Sequence, residues 1–211
     1  MTNPTVFLVD DDPNDVAIIK RVCGSVGLAI EAFGSPSALM KVVTPDVQGC
    51  VVVDLMMPEM TGLQVHEELQ RTHALLPIIV LTGHADAKTC REAFQKGVFD
   101  FVEKSTNHHD LLVVIRKAIA SNINQHLLHQ QRSRFLQDLT ALSPREREVM
   151  ELLSGGKTQK EIAERLEISV QTASKHRSKV FDKLSVSNEV DLLKRIHSID
   201  SDSSTEACNA A

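Results

Sequence analysis

Short apolar runs alternate with longer amphipathic stretches over the first 120 residues of the chain. Each short run is rich in Val, Ile, Leu or Phe, which is typical of strands buried on both faces, and the stretches between them repeat apolar residues with a helical period. This alternation predicts an α/β domain built on a doubly wound parallel sheet. In such a sheet the carboxyl ends of all strands lie at one edge, where ligands bind.

The pattern predicts five strands and five helices in this first part. The predicted strands are Thr5–Val9, Ala29–Phe33, Cys50–Val53, Pro77–Leu81 and Asp100–Val102. The predicted helices are Asn14–Val26, Pro36–Val43, Leu63–Thr72 and Ala87–Lys96, with a fifth that begins near Asp110.

The fifth helix does not end where the sheet domain should end. An apolar stripe begins at Leu111 and recurs every four residues as far as Leu127. Up to Ile119 the stripe predicts packing on the sheet. We therefore expect a first domain over residues 1–120 and a helical, Gln-rich linker over residues 121–139. The continuation of the stripe in the linker fits a dimer seam and a simple spacer equally well.

The rest of the chain has only helical patterns. Capping boxes, in which a hydroxyl and a Glu three residues later satisfy backbone N–H groups at a helix start, are predicted at Ser143 and Thr158. A third helix is expected from Ser169 to Leu184 and a fourth from Asn188 to Ile196. These helices predict an all-α, four-helix domain over residues 140–197, followed by a polar, disordered tail over residues 198–211.

Composition and charge narrow the function classes. The chain of 211 residues is 42% hydrophobic and contains seven Phe but no Trp or Tyr, so base stacking on single-stranded nucleic acid is not expected. Residues 1–120 carry 10 Lys and Arg against 15 Asp and Glu, whereas residues 140–197 carry 11 against 9. Any nucleic-acid contact should therefore be made by Lys and Arg of the second domain.

Cysteines and apolar runs indicate the compartment. The four Cys, at positions 23, 50, 90 and 208, lack the spacing of a metal site, which favours free thiols in a reducing environment. No apolar run approaches the roughly 18 residues of a membrane span, and the first residues lack the features of a signal peptide. We expect a cytoplasmic protein with no membrane partner.

Five polar side chains lie at the ends of predicted strands. Asp10 and Asp11 follow the first strand, Asp54 the third, Thr82 the fourth and Lys104 the fifth. Three carboxylates at one edge repel one another, which favours a bound cation, and oxygen ligands with open positions suit Mg²⁺. A phosphoryl group held there would meet Asp54 as a nucleophile, with Thr82 and Lys104 beside it.

Ordinary capping of helices and turns is the alternative for these carboxylates. Capping explains a single Asp well, and Asp12, followed by Pro13, is interpreted as a capping or solvated residue. Capping does not readily explain five polar groups at one edge of a sheet, so a site that binds a cation and a phosphoryl group is favoured.

These residues resemble the receiver domain of two-component response regulators. The resemblance spans about residues 4–120 and rests on Asp10-Asp11, Asp54-Leu-Met-Met-Pro58 with Gly62, Thr82-Gly83 and Asp100-Phe-Val-Glu-Lys104. It implies a flavodoxin-like fold with strand order 2-1-3-4-5 and phosphorylation of Asp54 by a sensor histidine kinase. It also implies Mg²⁺ bound by Asp11 directly, by Asp10 through water, and by Asp54 and the Met56 carbonyl, with Phe101 as an aromatic switch that follows Thr82.

One position departs from the family pattern. Ser105 follows Lys104 where the family usually has a Pro, often in a cis peptide, and this predicts a looser loop around Lys104. Met56 and His84 are expected either to tune the lifetime of the phosphoryl group by admitting or excluding water, or to be plain loop surface.

The third helix of the second domain is basic. It carries Lys175, Arg177, Lys179 and Lys183 against Asp182. A solvated charged face would explain this helix alone. However, a short helix precedes it, and nearby apolar residues supply a small core, namely Ala163, Leu166, Ile168, Val180 and Leu184. Together they predict a helix-turn-helix with its basic side free for the major groove of DNA.

The same region resembles the LuxR-type DNA-binding domain over about residues 139–197. The resemblance rests on Leu142–Glu148, Gly156–Ala163, Thr172–His176 and Lys183-Leu184, and it identifies the chain as a member of the NarL/FixJ family of response regulators. It implies base reading by Ser174, Lys175 and Ser178, phosphate contacts by Lys160, Thr172, His176 and Lys179, and dimer contact through the fourth helix. No second His or Cys lies at ligand spacing from His176, so a metal site there is not expected.

These features predict a response regulator in which Mg²⁺-dependent phosphorylation of Asp54 controls sequence-specific DNA binding and transcription. The expected partners are a histidine kinase, promoter DNA and RNA polymerase, with a homodimer as the phosphorylated form. We expect no enzyme activity beyond its own phosphoryl transfer and autodephosphorylation. Two alternatives remain: a DNA-binding regulator that works independently of phosphorylation, and a phosphohydrolase that uses Asp54 but has Met56 where its general acid should stand.

Overall fold

The computed structural model describes residues 3–72, 75–83, 91, 95–105 and 107–208, with side chains described as far as residue 198. The chain divides into two compact units, Met1–Leu127 and Leu128–Ala211.

The first unit contains a five-stranded parallel sheet. Its strands are β1 (Thr5–Val9), β2 (Ala29–Phe33), β3 (Gly49–Asp54), β4 (Ile78–Thr82) and β5 (Asp100–Glu103), in the order β2-β1-β3-β4-β5. All neighbouring pairs are parallel. The predicted flavodoxin-like fold is therefore confirmed, with strand ends shifted by one residue in β3, β4 and β5.

Four helices begin within the described ranges of this unit, and the fourth extends beyond Leu127. They are α1 (Pro13–Ser25), α2 (Pro36–Met40), α3 (Gly62–Arg71) and α4 (His108–Thr140). Asp12 caps α1 by accepting a hydrogen bond from the Asn14 N–H at 2.8 Å, which is the first of the two roles expected for it, and Pro13 lies in the first turn. The helix predicted over Ala87–Lys96 falls largely outside the described residues.

Helices cover both faces of the sheet. On one face, Ile19 and Cys23 of α1 pack with Leu111 and Ile115 of α4 against alternate residues of β1, β3 and β4. On the other face, side chains of α2 and α3 pack against the remaining strand residues. The stripe that begins at Leu111 therefore packs on the sheet as predicted, whereas Leu127 at its end is 51% exposed.

Asn122 fastens α4 to the amino-terminal edge of the sheet. Its fully buried side chain accepts a hydrogen bond from the Gly49 N–H at 2.8 Å and donates one to the Leu75 carbonyl at 2.6 Å. Gly49 has φ +146°, and a Cβ atom there would lie 1.8 Å from the Thr5 carbonyl oxygen, so only glycine fits. One turn later the ring of His126 lies 3.2 Å from the Val47 carbonyl. The packing of the first unit thus continues into the segment predicted as a linker.

The second unit has an all-helical core. It contains α5 (Pro144–Ser154), α6 (Gln159–Arg165), α7 (Val170–Leu184) and α8 (Glu189–Cys208). The two capping boxes predicted at Ser143 and Thr158 are both present, and Ser169 caps α7 by accepting from the Thr172 N–H. The buried core also includes Phe135, from the last turns of α4.

The last helix differs from its prediction. The sequence pattern placed its end at Ile196 and expected a disordered tail from Ser198, but helical backbone continues to Cys208. Residues 197–208 contain no Gly or Pro, the two residues that most strongly disfavour a helix.

Glu146 connects the first and third helices of the second unit. It accepts a hydrogen bond from the Ser143 N–H at 2.8 Å, and its carboxylate lies 2.6 Å from the ammonium of Lys183 on α7. The Lys183 and Ser143 hydrogen bonds lower the pKa of this carboxyl from 4.5 to about 2. The capping box of α5 is therefore also an ion pair with α7.

Two cysteines lie in the sheet core. Cys23 and Cys50 are free and buried, and burial raises the pKa of their thiols to about 11 and about 12. Both thiols therefore stay protonated and inert at neutral pH. Cys90 and the side chain of Cys208 lie outside the described residues. Among the described helices, none has both the length and the apolar character to cross a membrane.

We expect Asn122→Ala to destabilise the first unit by about 1–3 kcal/mol, because the buried Gly49 N–H and the partly buried Leu75 carbonyl lose their partner. Asn124→Ala is the matched control, since Asn124 is exposed two residues later on the same helix. Urea unfolding of the full chain, followed by circular dichroism, measures both. Equal stability of the two variants would contradict the role given to Asn122.

Glu146→Gln should destabilise the second unit at neutral pH by about 1–2 kcal/mol, since it weakens a helix cap and removes an ion pair. A lowered pKa stabilises the fold above pH 4.5, and that contribution is lost as the pH falls toward 2. The difference from wild type should therefore be constant near pH 7 and shrink below pH 4.5. Glu148→Gln, which removes the same charge from an exposed pair with Arg145, is the control and should destabilise the unit at pH 7 less than Glu146→Gln does.

Candidate functional site

The carboxyl edge of the sheet collects four of the predicted site residues from four strands. Asp10 follows β1, Asp54 ends β3, Thr82 ends β4, and Lys104 follows β5. These strands are neighbours in the sheet, so their ends lie side by side. Asp10, Asp54 and Thr82 are all buried.

Lys104 lies among three carboxylates. Its Nζ is 2.9 Å from Asp10 Oδ2, 2.9 Å from Asp54 Oδ1 and 2.7 Å from Asp15 Oδ2. Its backbone N–H donates to the Thr82 carbonyl at 2.8 Å. Lys104 thus reaches the sheet edge with Ser105 in place of the usual Pro, and no peptide bond in the described ranges is cis.

Backbone groups hold the two buried carboxylates in place. Asp10 Oδ1 accepts from the Asp12 N–H at 2.9 Å, and Asp54 Oδ2 accepts from the Met56 N–H at 3.1 Å. Gly62 lets the start of α3 come close to this strand end, because a Cβ there would lie 2.8 Å from the Asp54 carbonyl oxygen. The loop between β3 and α3 therefore fixes the orientation of Asp54.

Burial and neighbouring hydrogen bonds shift the pKa values of Asp10 and Lys104 in opposite directions. Burial raises the pKa of Asp10 above its ordinary value, although hydrogen bonds from the Asp12 N–H and from Lys104 act against the rise. Burial lowers the pKa of Lys104, but hydrogen bonds to Asp15, Asp54 and Asp10 outweigh it, and the net pKa is raised. Lys104 is therefore a permanent cation at neutral pH.

Asp10, Asp11 and Asp54 form a cluster that fits a hard cation. Carboxylate oxygens of the three residues lie within 4.8 Å of one another, and Asp11 is exposed. All three offer oxygen, the donor that Mg²⁺ prefers, and the exposed side leaves room for water ligands. Capping alone does not explain this convergence.

The remaining predicted residues of the first unit lie around this edge. The Met56 side chain is 73% exposed. Phe101, in β5, is half-buried and packs against the core on the α3 face. The metal-ligand role of the Met56 carbonyl and the switch role of Phe101 stay predictions, and His84 lies outside the described residues.

The predicted DNA-contact residues of the second unit divide into two groups. Lys175, Ser178 and Lys179 are exposed and share one face of α7, since they are three and four residues apart, and Lys160 is exposed on α6. Thr172, Ser174 and His176 are half-buried. The Thr172 hydroxyl lies 2.8 Å from the hydroxyl of Ser169, which caps the helix. The Nδ1 atom of His176 is buried, with no hydrogen-bond partner among the described atoms.

Arg177 has a structural role in the same helix. Its Nε lies 2.7 Å from Glu189 at the start of α8, and its guanidinium lies 4.3 Å from the centroid of the Phe181 ring. The basic charge of α7 is therefore divided between Arg177 and Lys183, which form ion pairs within the unit, and the exposed Lys175 and Lys179.

Sequence reasoning missed one residue of the edge, Asp15. It lies in the first turn of α1 rather than at a strand end, and strand ends were the signal used. No local spacing reveals its contact with Lys104, because the two residues are 89 positions apart in the sequence.

A doubly wound sheet with an acidic carboxyl edge, followed by a helical unit with an exposed basic face, defines a two-domain regulator. Family comparison agrees in both halves. Residues 6–116 match the response regulator receiver domain, and residues 140–195 match the bacterial regulatory proteins of the luxR family.

Known proteins are similar over nearly the whole chain. The transcriptional regulatory protein TdiR of Thauera aromatica is 33% identical over 90% of this chain and 83% of its own length. The transcriptional regulatory protein FixJ of Azorhizobium caulinodans is 31% identical over 90% of both chains. The structure of the response regulator StyR gives a TM-score of 0.80 at 28% identity and covers 93% of this chain and 99% of that one.

The chain belongs to the NarL/FixJ-type response regulators, with a receiver domain followed by a LuxR-type DNA-binding domain. It is accordingly a transcription regulator with a histidine kinase and DNA as partners, and not a classical enzyme.

Proposed function

We propose that Asp54 is the phosphoacceptor and that its phosphorylation controls DNA binding by the second domain. The observation that carries this proposal is the position of the Lys104 ammonium, 2.9 Å from both Asp54 and Asp10 and beside the acidic cluster. A carboxylate that is buried, oriented by the Met56 N–H and paired with a fixed cation suits attack on a phosphoryl group.

Transfer forms a bond between an Asp54 carboxylate oxygen and phosphorus and breaks the bond between phosphorus and the donor. Lys104 stabilises the negative charge on the phosphoryl oxygens, and the Thr82 hydroxyl is proposed to bind one of them. Water reaching the same phosphorus would reverse the modification, so we also propose slow autodephosphorylation.

Asp10, Asp11, Asp54 and the Met56 carbonyl would hold Mg²⁺, with Asp10 bound through water. When bound, the ion neutralises charge on the phosphoryl oxygens during transfer. The fit rests on the donor set, because three carboxylates converge within 4.8 Å and one side of the cluster is exposed.

The signal is proposed to leave the site through Thr82 and Phe101. Phe101 is half-buried in the strand next to Thr82, so movement of the hydroxyl toward a phosphoryl group leaves space that the ring can enter. The resulting surface change would promote a homodimer, which binds two related DNA half-sites and contacts RNA polymerase.

DNA contact is proposed for the exposed face of α7 and the neighbouring α6. Ser174, Lys175 and Ser178 would read bases, while Lys160, Thr172, His176 and Lys179 would lie nearer phosphates. The support is that Lys175, Ser178 and Lys179 share one exposed face, while Arg177 is held by Glu189. Since two serines and one lysine supply few base contacts, a dimer that doubles them is useful.

Incubation with acetyl phosphate and Mg²⁺ should add one phosphoryl group to the wild-type chain and none to Asp54→Asn, measured by intact mass. The amide keeps the size of the side chain but is a poor nucleophile. A chelator should abolish labelling of the wild type.

An unlabelled wild type would overturn the proposal and favour a regulator that works independently of phosphorylation. Equal labelling of Asp54→Asn would mean that another residue is the acceptor. Continued release of phosphate over many turnovers would instead indicate a phosphohydrolase.

Lys179→Ala should lower the salt dependence of binding to a mixed-sequence DNA duplex. Loss of one phosphate contact reduces the slope of log affinity against log salt by about 0.9. Lys20→Ala, which removes the same charge from an exposed position on α1, is the control and should leave the slope unchanged. An unchanged slope for Lys179→Ala would remove Lys179 from the DNA interface.

A further inference from the structure

We propose that Asp15 is a positioning residue of the phosphorylation site, which holds Lys104 in place when a cation occupies Asp10 and Asp54. This inference rests on the proposed function of Asp54. It assigns a role to a fourth carboxylate at the sheet edge, one that does not belong to the cluster of Asp10, Asp11 and Asp54.

The three N–H groups of the Lys104 ammonium meet three carboxylates. Two of its partners, Asp10 and Asp54, also supply the oxygens proposed to bind Mg²⁺. An ammonium and a divalent cation compete for these oxygens, and each repels the other. Cation binding therefore weakens two of the three contacts that hold Lys104.

When a cation binds the cluster of Asp10, Asp11 and Asp54, Asp15 is the carboxylate that stays available to Lys104. Its Oδ2 atom lies 2.7 Å from Nζ, the shortest of the three contacts. The side chain is 31% exposed, against 0% for Asp10 and 10% for Asp54, so it lies nearer solvent than they do. It belongs to the first turn of α1, which Asp12 and Pro13 fix.

A lysine without a fixed partner gains rotamer freedom and loses its defined position. Charge stabilisation during phosphoryl transfer depends on a cation that is already in place. Asp15 therefore acts through Lys104 and does not touch the reacting atoms.

The first measurement is the rate of phosphorylation by acetyl phosphate at saturating Mg²⁺, in the full chain, by intact mass. We expect Asp15→Asn to be slower than wild type by roughly tenfold or more, which corresponds to the loss of one charge-assisted hydrogen bond. Asp46→Asn is the control, because it removes an exposed carboxylate that precedes β3, at the opposite end of that strand from Asp54, and its rate should stay within about twofold of wild type. A rate for Asp15→Asn that equals the control would overturn the inference.

The second measurement separates an effect through Lys104 from a general effect of charge. Calorimetric Mg²⁺ titration of wild type, Asp15→Asn, Lys104→Ala and the double variant forms a double-mutant cycle. We expect Asp15→Asn to weaken Mg²⁺ binding in the wild-type background, because Lys104 then competes harder for Asp10 and Asp54, and to have no effect beside Lys104→Ala.

Equal weakening in both backgrounds would show that Asp15 acts by its charge alone and would overturn the inference, as would faster phosphorylation of Asp15→Asn. Failure of the wild-type chain to accept a phosphoryl group is a different result. It would overturn the proposed function itself, and the inference with it.

Discussion

Buried carboxylates at the end of a parallel sheet must be compensated by positive charge, and this requirement organises the receiver domain. Asp10 and Asp54 lie at the ends of adjacent strands with almost no access to water. Lys104 reaches both from the far side of β4, and backbone N–H groups of Asp12 and Met56 supply the remaining contacts. The strand order brings these groups together, since no two of the three residues are near in sequence.

In the DNA-binding domain the basic residues of α7 have two different roles. A helix with several cations needs some of them for its own attachment and others for DNA. Glu146 and Glu189 each bind one basic residue of α7, namely Lys183 and Arg177, on sides that face neighbouring helices. Lys175 and Lys179 remain exposed. Acidic partners within the domain therefore decide which cations are available to a phosphate backbone.

Sequence patterns predicted the elements well where local chemistry determines them. Strands of continuous Val, Ile and Leu were located within one residue, and the capping boxes at Ser143 and Thr158 are present because the hydroxyl and the glutamate need only each other. Strand ends predicted Asp10, Asp54, Thr82 and Lys104 because parallel strands share one edge.

Contacts between distant segments were not predictable in this way. Asp15 reaches Lys104 over 89 positions, and Asn122 reaches Gly49 over 73, so no local spacing reveals either contact. The pattern of polar residues in a helix indicates a solvent-facing surface, so it does not predict the buried contact that Asn122 makes within the Gln-rich continuation of α4. The polar composition of residues 198–208 predicted disorder, but the structure has helical backbone there. The segment contains no Gly or Pro.

The contacts of Asn122 and His126 limit where a new output domain could be joined to this receiver domain. A gene fusion that joins a new output domain after residue 120 would remove both side chains. The buried Gly49 N–H and the partly buried carbonyls of Leu75 and Val47 would then lose these contacts. A fusion after His126 would keep them, and it would still precede Phe135, which belongs to the core of the DNA-binding domain. A junction that preserves both cores therefore lies between His126 and Phe135, a segment of about two turns inside the continuous helix α4.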